Sequence, residues 1–132
     1  MSHSKLLLSI TLLLTAIFCL NAAEPTVIRN PHRSKDRIPL KDNRHAKPNS
    51  ELELTTDPEC VFIDGTLHFT FPRSEGMAKV IVTETQTGKE NRMSALTLYP
   101  FEMTVGCRPG YYVIMVNTAK DNCYVGEYII EE

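Results

Sequence analysis

Cys60 and His68 are the two residues whose types and spacing come nearest to a catalytic pair. A cysteine nucleophile needs an imidazole within hydrogen-bond reach and a third group that orients the imidazole. Between them lies Asp64-Gly65, the strongest short signal for a two-residue hairpin. Such a turn sets Val61, not Cys60, opposite His68. No third group accompanies the histidine. The pair therefore reads as a core cysteine and a surface histidine, and no hydrolytic chemistry is expected from it.

Other chemistries fare no better. Glu51, Glu53, Asp57 and Glu59 are close in sequence but sit at a strand entry, where carboxylates are solvated rather than converging in a cleft. Asp121-Asn122 lacks the spacing of a calcium loop. No glycine-rich phosphate loop and no serine elbow occur. The cysteines match no zinc spacing, since neither C-x-x-C nor H-x-x-x-H is present. No catalytic, cofactor-binding or metal-ligating residue is assigned.

The elements that would position these residues begin after a leader. Met1 to Ala23 has a short positive start at Lys5, an apolar run from Leu6 to Leu20, and small residues at Ala22-Ala23. That is the pattern of a secretory signal peptide, too short and wrongly flanked for a membrane span. The protein is accordingly expected to be exported, to the periplasm or the cell surface. Its mature form would keep Cys60, Cys107 and Cys123, an odd number in an oxidising compartment. Which of them pair is left open.

Charge divides the rest near residue 50. From Glu24 to Ser50 the chain is basic, proline-punctuated and poor in apolar residues, so it reads as mostly disordered, with a short strand near 38–40. From residue 51 onward thirteen acids face six cations. The basic segment would suit an anionic surface, but nucleic acid is not a plausible partner for an exported chain, and a solvated linker explains it as well.

The remainder reads as strands: Cys60 to Ile63, the alternating Thr66 to Phe71, Ala78 to Glu84, a polar edge strand over Glu90 to Ala95, and an apolar stretch from Thr97 to Val105 interrupted by Pro100. Arg108-Pro109-Gly110 turns into Tyr111 to Val116, a strand with no polar position. No helical period is evident. Several short strands with turn signals indicate a sandwich or small barrel.

Four runs carry a resemblance: Ile38-Pro39-Leu40; Asp64-Gly65-Thr66-Leu67-x-Phe69-x-Phe71; Gly110-x-Tyr112-x-Ile114-x-Val116; and Tyr124-x-Gly126-Glu127-Tyr128-x-Ile130. From Ile38 onward the chain resembles the small secreted Bacteroidetes proteins grouped as domain of unknown function 3244. The resemblance implies an all-β, immunoglobulin-like β-sandwich of about seven antiparallel strands, here over residues 51–132. It implies architecture and no chemistry.

A three-residue loop at Ala119-Lys120-Asp121 would set Tyr112 opposite Tyr128, Ile114 opposite Gly126 and Val116 opposite Tyr124. The opposite face then carries Tyr111, Val113 and Met115 against Ile129, Glu127 and Val125. Apolar residues fill all but one of those positions, and an apolar row of this size marks a contact surface. Residues 38–40 or 27–28, a second copy in a homodimer, or a foreign ligand would cover it. The expected function is a secreted, non-catalytic binding module for a protein or glycan, without a cofactor. The alternative is a secreted inhibitor or accessory subunit that inserts the Pro72–Met77 loop into an enzyme. Tyr99, Phe101 and Tyr111 are the aromatic platforms a glycan would use.

Overall fold

The β-rich sequence folds into two stacked sheets, seen in a computed structural model that describes residues 24–43 and 57–132. Ten strands follow in order: β1 (Thr26–Ile28), β2 (Lys35–Arg37), β3 (Lys41–Asp42), β4 (Glu59–Ile63), β5 (Thr66–Thr70), β6 (Met77–Glu84), β7 (Glu90–Leu96), β8 (Phe101–Thr104), β9 (Gly110–Thr118) and β10 (Cys123–Ile130). The larger sheet runs β1-β10-β9-β6-β7, with β3 also pairing β10. The smaller runs β2-β4-β5-β8. The seven strands from β4 to β10 pair antiparallel, and the three short N-terminal strands add to their edges, β1 in parallel.

Turn chemistry sets the registers. Asp64 and Gly65 both have positive φ, 45° and 79°. That is the type I′ geometry whose twist matches the flanking strands. It places Val61 against His68. At the β9–β10 loop Thr118 donates its backbone N–H to Asn122, and Asp121 takes the left-handed conformation at φ 61°. The loop has three residues, and Tyr112 pairs with Tyr128, Ile114 with Gly126 and Val116 with Tyr124. Pro100 stands in the turn where the chain leaves β7 for the smaller sheet, just before edge strand β8.

The core lies between the sheets. Phe62, Leu67 and Phe69 of the smaller sheet meet Val80, Ile114, Val116 and Tyr128 of the larger, all fully buried. The Tyr112 and Tyr128 rings stack at 4.8 Å, and Phe62 closes on Tyr128 at 5.7 Å. Burying apolar surface on this scale is the main favourable term in folding.

The N-terminal segment departs from expectation. Composition predicts disorder over 24–50, yet residues 24–43 are woven into both sheets. Ile28, Ile38 and Leu40 are buried in the core. The reason is local. Three well-spaced apolar residues, together with ready-made edges on β10 and β4, supply hydrogen bonds and burial that average composition does not register. The strand expected at 38–40 is instead the passage between the sheets: β2 pairs β4, β3 pairs β10, and Ile38–Leu40 crosses from one to the other. The expected signal peptide at 1–23, and the stretch 44–56 that would join the basic segment to the sandwich, lie outside the described residues.

Candidate functional site

The two outer faces of the sandwich differ in kind. On the smaller sheet one line across the strands reads Arg37, Val61, His68, Glu102. His68 pairs with Glu102 at 3.4 Å and Arg37 with Glu59 at 3.0 Å. This is an ordinary solvated face.

The larger sheet carries the apolar row. Tyr111, Val113 and Met115 on β9 pair with Ile129, Glu127 and Val125 on β10. The alternation of β6 puts Val80 and Val82 inside, so Ile81 faces out and pairs with Met115. Val27 extends the face beside Ile129. The central line across five strands is Arg92, Ile81, Met115, Val125, Lys41, with a cation at each end of three apolar side chains. Met115 is 37% exposed, whereas Val125 is 9% exposed between its neighbours. Farther along, Met77 and Leu96 pair on the same face and are both exposed. All ten strands belong to the two sheets, so no described strand lies over this face.

The Ile38–Leu40 passage does not cover it either. It packs on the inner side of β10, where a Cβ on Gly126 would meet the Leu40 side chain. The row is partly closed by its own polar members. The Tyr111 hydroxyl donates to Glu127 at 2.7 Å, and burial together with that bond raises the Tyr111 pKa above its ordinary value. Of the aromatic platforms, Tyr99 is 66% exposed. Phe101 instead stacks on Phe69 at 5.0 Å and serves packing.

The sequence indicates the β9 and β10 members, and it names residues 27–28 beside the final strand, where β1 does pair β10 without covering the row; it does not indicate Ile81, Met77 and Leu96. The alternation in Ala78 to Glu84 was the available signal for Ile81.

Cys60 and His68 lie on opposite faces of the smaller sheet. Cys60 is wholly buried, and burial alone pushes its thiol pKa far up. No disulfide forms among the described residues.

The Pro72–Met77 loop is anchored rather than free. Glu75 is only 6% exposed and accepts hydrogen bonds from Thr118 Oγ1 (2.9 Å), Asn122 Nδ2 (2.7 Å) and Tyr124 OH (2.7 Å). Three donors from β9, the following loop and β10 compensate the buried carboxylate. At the far end of β6, Glu84 accepts from Thr87 and Tyr112, and the Thr87 bond leads in lowering its pKa.

A cluster that no sequence spacing suggested sits at the turns. His32, Asp64 and Cys107 approach one another, with Nδ1 of His32 3.0 Å from Asp64 Oδ1 and 3.7 Å from Cys107 Sγ. Burial, and secondarily the Asp64 carboxylate, raise the Cys107 thiol pKa.

The crystal structure, at 1.70 Å resolution, of a protein of the domain of unknown function 3244 family from Bacteroides vulgatus ATCC 8482 superposes on this chain with a TM-score of 0.59. It is described as an immunoglobulin-like β-sandwich. The fold is an immunoglobulin-like β-sandwich. The match covers 74% of this chain and 100% of that one, at 8% identity, so it speaks to fold alone. No family model and no curated protein matches the sequence. The architecture implied by the sequence resemblance is thus the one observed.

Proposed function

We propose that this protein is an exported, non-catalytic interaction domain that binds a protein partner through the outer face of its larger sheet. One observation carries the reading: Ile81, Met115 and Val125 form an apolar line between Arg92 and Lys41, while the equivalent face of the smaller sheet is charged. An apolar centre with a charged rim is the anatomy of a protein interface. Arg92 is held by Glu90 of its own strand at 2.6 Å, so the rim is of mixed charge, as a polar rim around an apolar centre usually is. A flat row suits a protein better than a glycan, because Tyr111, its one aromatic member, has its hydroxyl engaged by Glu127.

Met115→Lys compared with His68→Lys tests this. Met115→Lys should abolish retention of the protein on its partner, or dissociate a homodimer in sedimentation velocity, while His68→Lys does neither. Binding on a glycan array that survives Met115→Lys would move the function elsewhere.

The inhibitor reading draws on the anchored Pro72–Met77 loop, whose Arg73 and Ser74 are exposed above buried Glu75. An enzyme inhibited by wild type and not by Arg73→Ala would support it in place of the sheet face.

A further inference from the structure

His32, Asp64 and Cys107 come from three separate turns, and backbone contacts hold those turns together. Arg33 and Ser34 donate N–H groups to the Asn30 carbonyl, which shapes the turn carrying His32. Asp64 opens the β4–β5 hairpin turn. The carbonyl of Gly65, next in that turn, accepts from Val105 at 2.8 Å and from Gly106 at 2.9 Å, which pins the loop bearing Cys107 to the hairpin tip. The fit is close: a Cβ on Gly65 would stand 3.1 Å from Cys107 Sγ.

We infer that these three side chains form a binding site for a borderline-soft divalent cation, zinc by preference. All three donor atoms lie within 4.8 Å of one another, with Nδ1 at the shared corner. A tetrahedral zinc with bonds of about 2.0–2.3 Å has ligand-to-ligand edges of about 3.3–3.6 Å. The two edges at Nδ1, 3.0 Å and 3.7 Å, lie on either side of that range, and the carboxylate-to-sulfur edge, within 4.8 Å, must shorten as the ion is bound. Thiolate, imidazole and carboxylate together select zinc over calcium or magnesium, which take oxygen ligands. Three protein ligands leave a fourth position for water or for a donor from another molecule.

A cysteine–histidine–aspartate nucleophile is the competing use of the same residues. Geometry rules it out. Both Asp64 and Cys107 address Nδ1 of His32, whereas a relay needs the acid and the nucleophile on opposite ring nitrogens. As a thiol Cys107 also donates to the Pro31 carbonyl at 3.8 Å, so cation binding displaces that proton and turns Sγ into a ligand beside the imidazole and the carboxylate.

The test uses the full mature chain, reduced and titrated with Co²⁺ and then Zn²⁺. Co²⁺ should bind one per chain, with a sulfur-to-cobalt charge-transfer band and the strong visible bands of four-coordinate cobalt, and Zn²⁺ should displace it. Cys107→Ser should remove the charge-transfer band. His32→Gln, at an exposed position, should weaken binding at least tenfold without disturbing the fold. Cys123→Ser and His68→Gln should change neither. Absence of one-to-one binding tighter than about 10 μM, or a spectrum indifferent to both Cys107→Ser and His32→Gln, would overturn the site.

Discussion

The carbonyl oxygen of Pro39 lies 2.7 Å from where a Cβ on Gly126 would stand, and Leu40 Cδ2 lies equally close. The passage between the sheets is thus seated in a slot that only glycine leaves open. Gly126→Ala must push that passage off β10. Because one of the obstructing atoms is backbone, relief is not cheap. The substitution should cost about 1–3 kcal/mol, read by urea denaturation. Unchanged stability would mean that Ile38–Leu40 does not pack there.

Tyr128 poses the opposite case. Its ring is fully buried, and its hydroxyl finds no hydrogen-bond partner among the described residues. An unsatisfied buried hydroxyl is destabilising. Tyr128→Phe keeps the stack on Tyr112 and should raise stability by about 1 kcal/mol, seen as a higher Tm. A loss of stability would reveal a hydrogen bond to that hydroxyl.

Glu75 ties the Pro72–Met77 loop to the far end of β9 and β10. Glu75→Gln removes the charge from three hydrogen bonds and puts an amide N–H₂ where an acceptor is needed. It should cost about 1.5–3 kcal/mol and make Arg73 a rapid site of tryptic cleavage. Cleavage no faster than in wild type would show that the loop is held by other contacts.

Glu84 supplies a pH signature. Its folded-state pKa is lowered, first by the Thr87 hydroxyl. A lowered carboxylate stabilises the fold above its unfolded pKa, and that contribution is lost as pH falls through the folded value. Thr87→Val should bring the Glu84 pKa back toward the ordinary carboxylate value in an NMR titration. It should also shrink the drop in stability on the acid side while leaving the alkaline side unchanged. A Glu84 titration identical in both proteins would contradict the assignment.

Much of the sandwich was legible because short-range chemistry sets it. Asp64-Gly65 dictates a type I′ turn, and the Ala119–Asp121 loop fixes the β9–β10 register with its outer row. The N-terminal strands were not legible. Their order depends on edges contributed by β4 and β10, far away in sequence, and on single residues such as Ile28 and Ile38 that composition averages away. Ile81 was within reach of the alternation in Ala78 to Glu84, but its place beside Met115 follows only from the pairing of β6 with β9. The His32–Asp64–Cys107 cluster was missed because the histidine and the cysteine are 75 positions apart, and only the stacking of three turns brings them together.

In the function proposed above, the Ile81–Met115–Val125 line is the contact surface. A photo-crosslinking residue placed at position 81 or 115 in the producing cell tests it most directly, with positions 68 and 102 on the smaller sheet as controls. Irradiation should give a discrete heavier species from 81 and 115, its mass distinguishing a second copy from another protein, and none from 68 or 102. Crosslinks absent at 81 and 115, or equally strong at 68 and 102, would contradict the account.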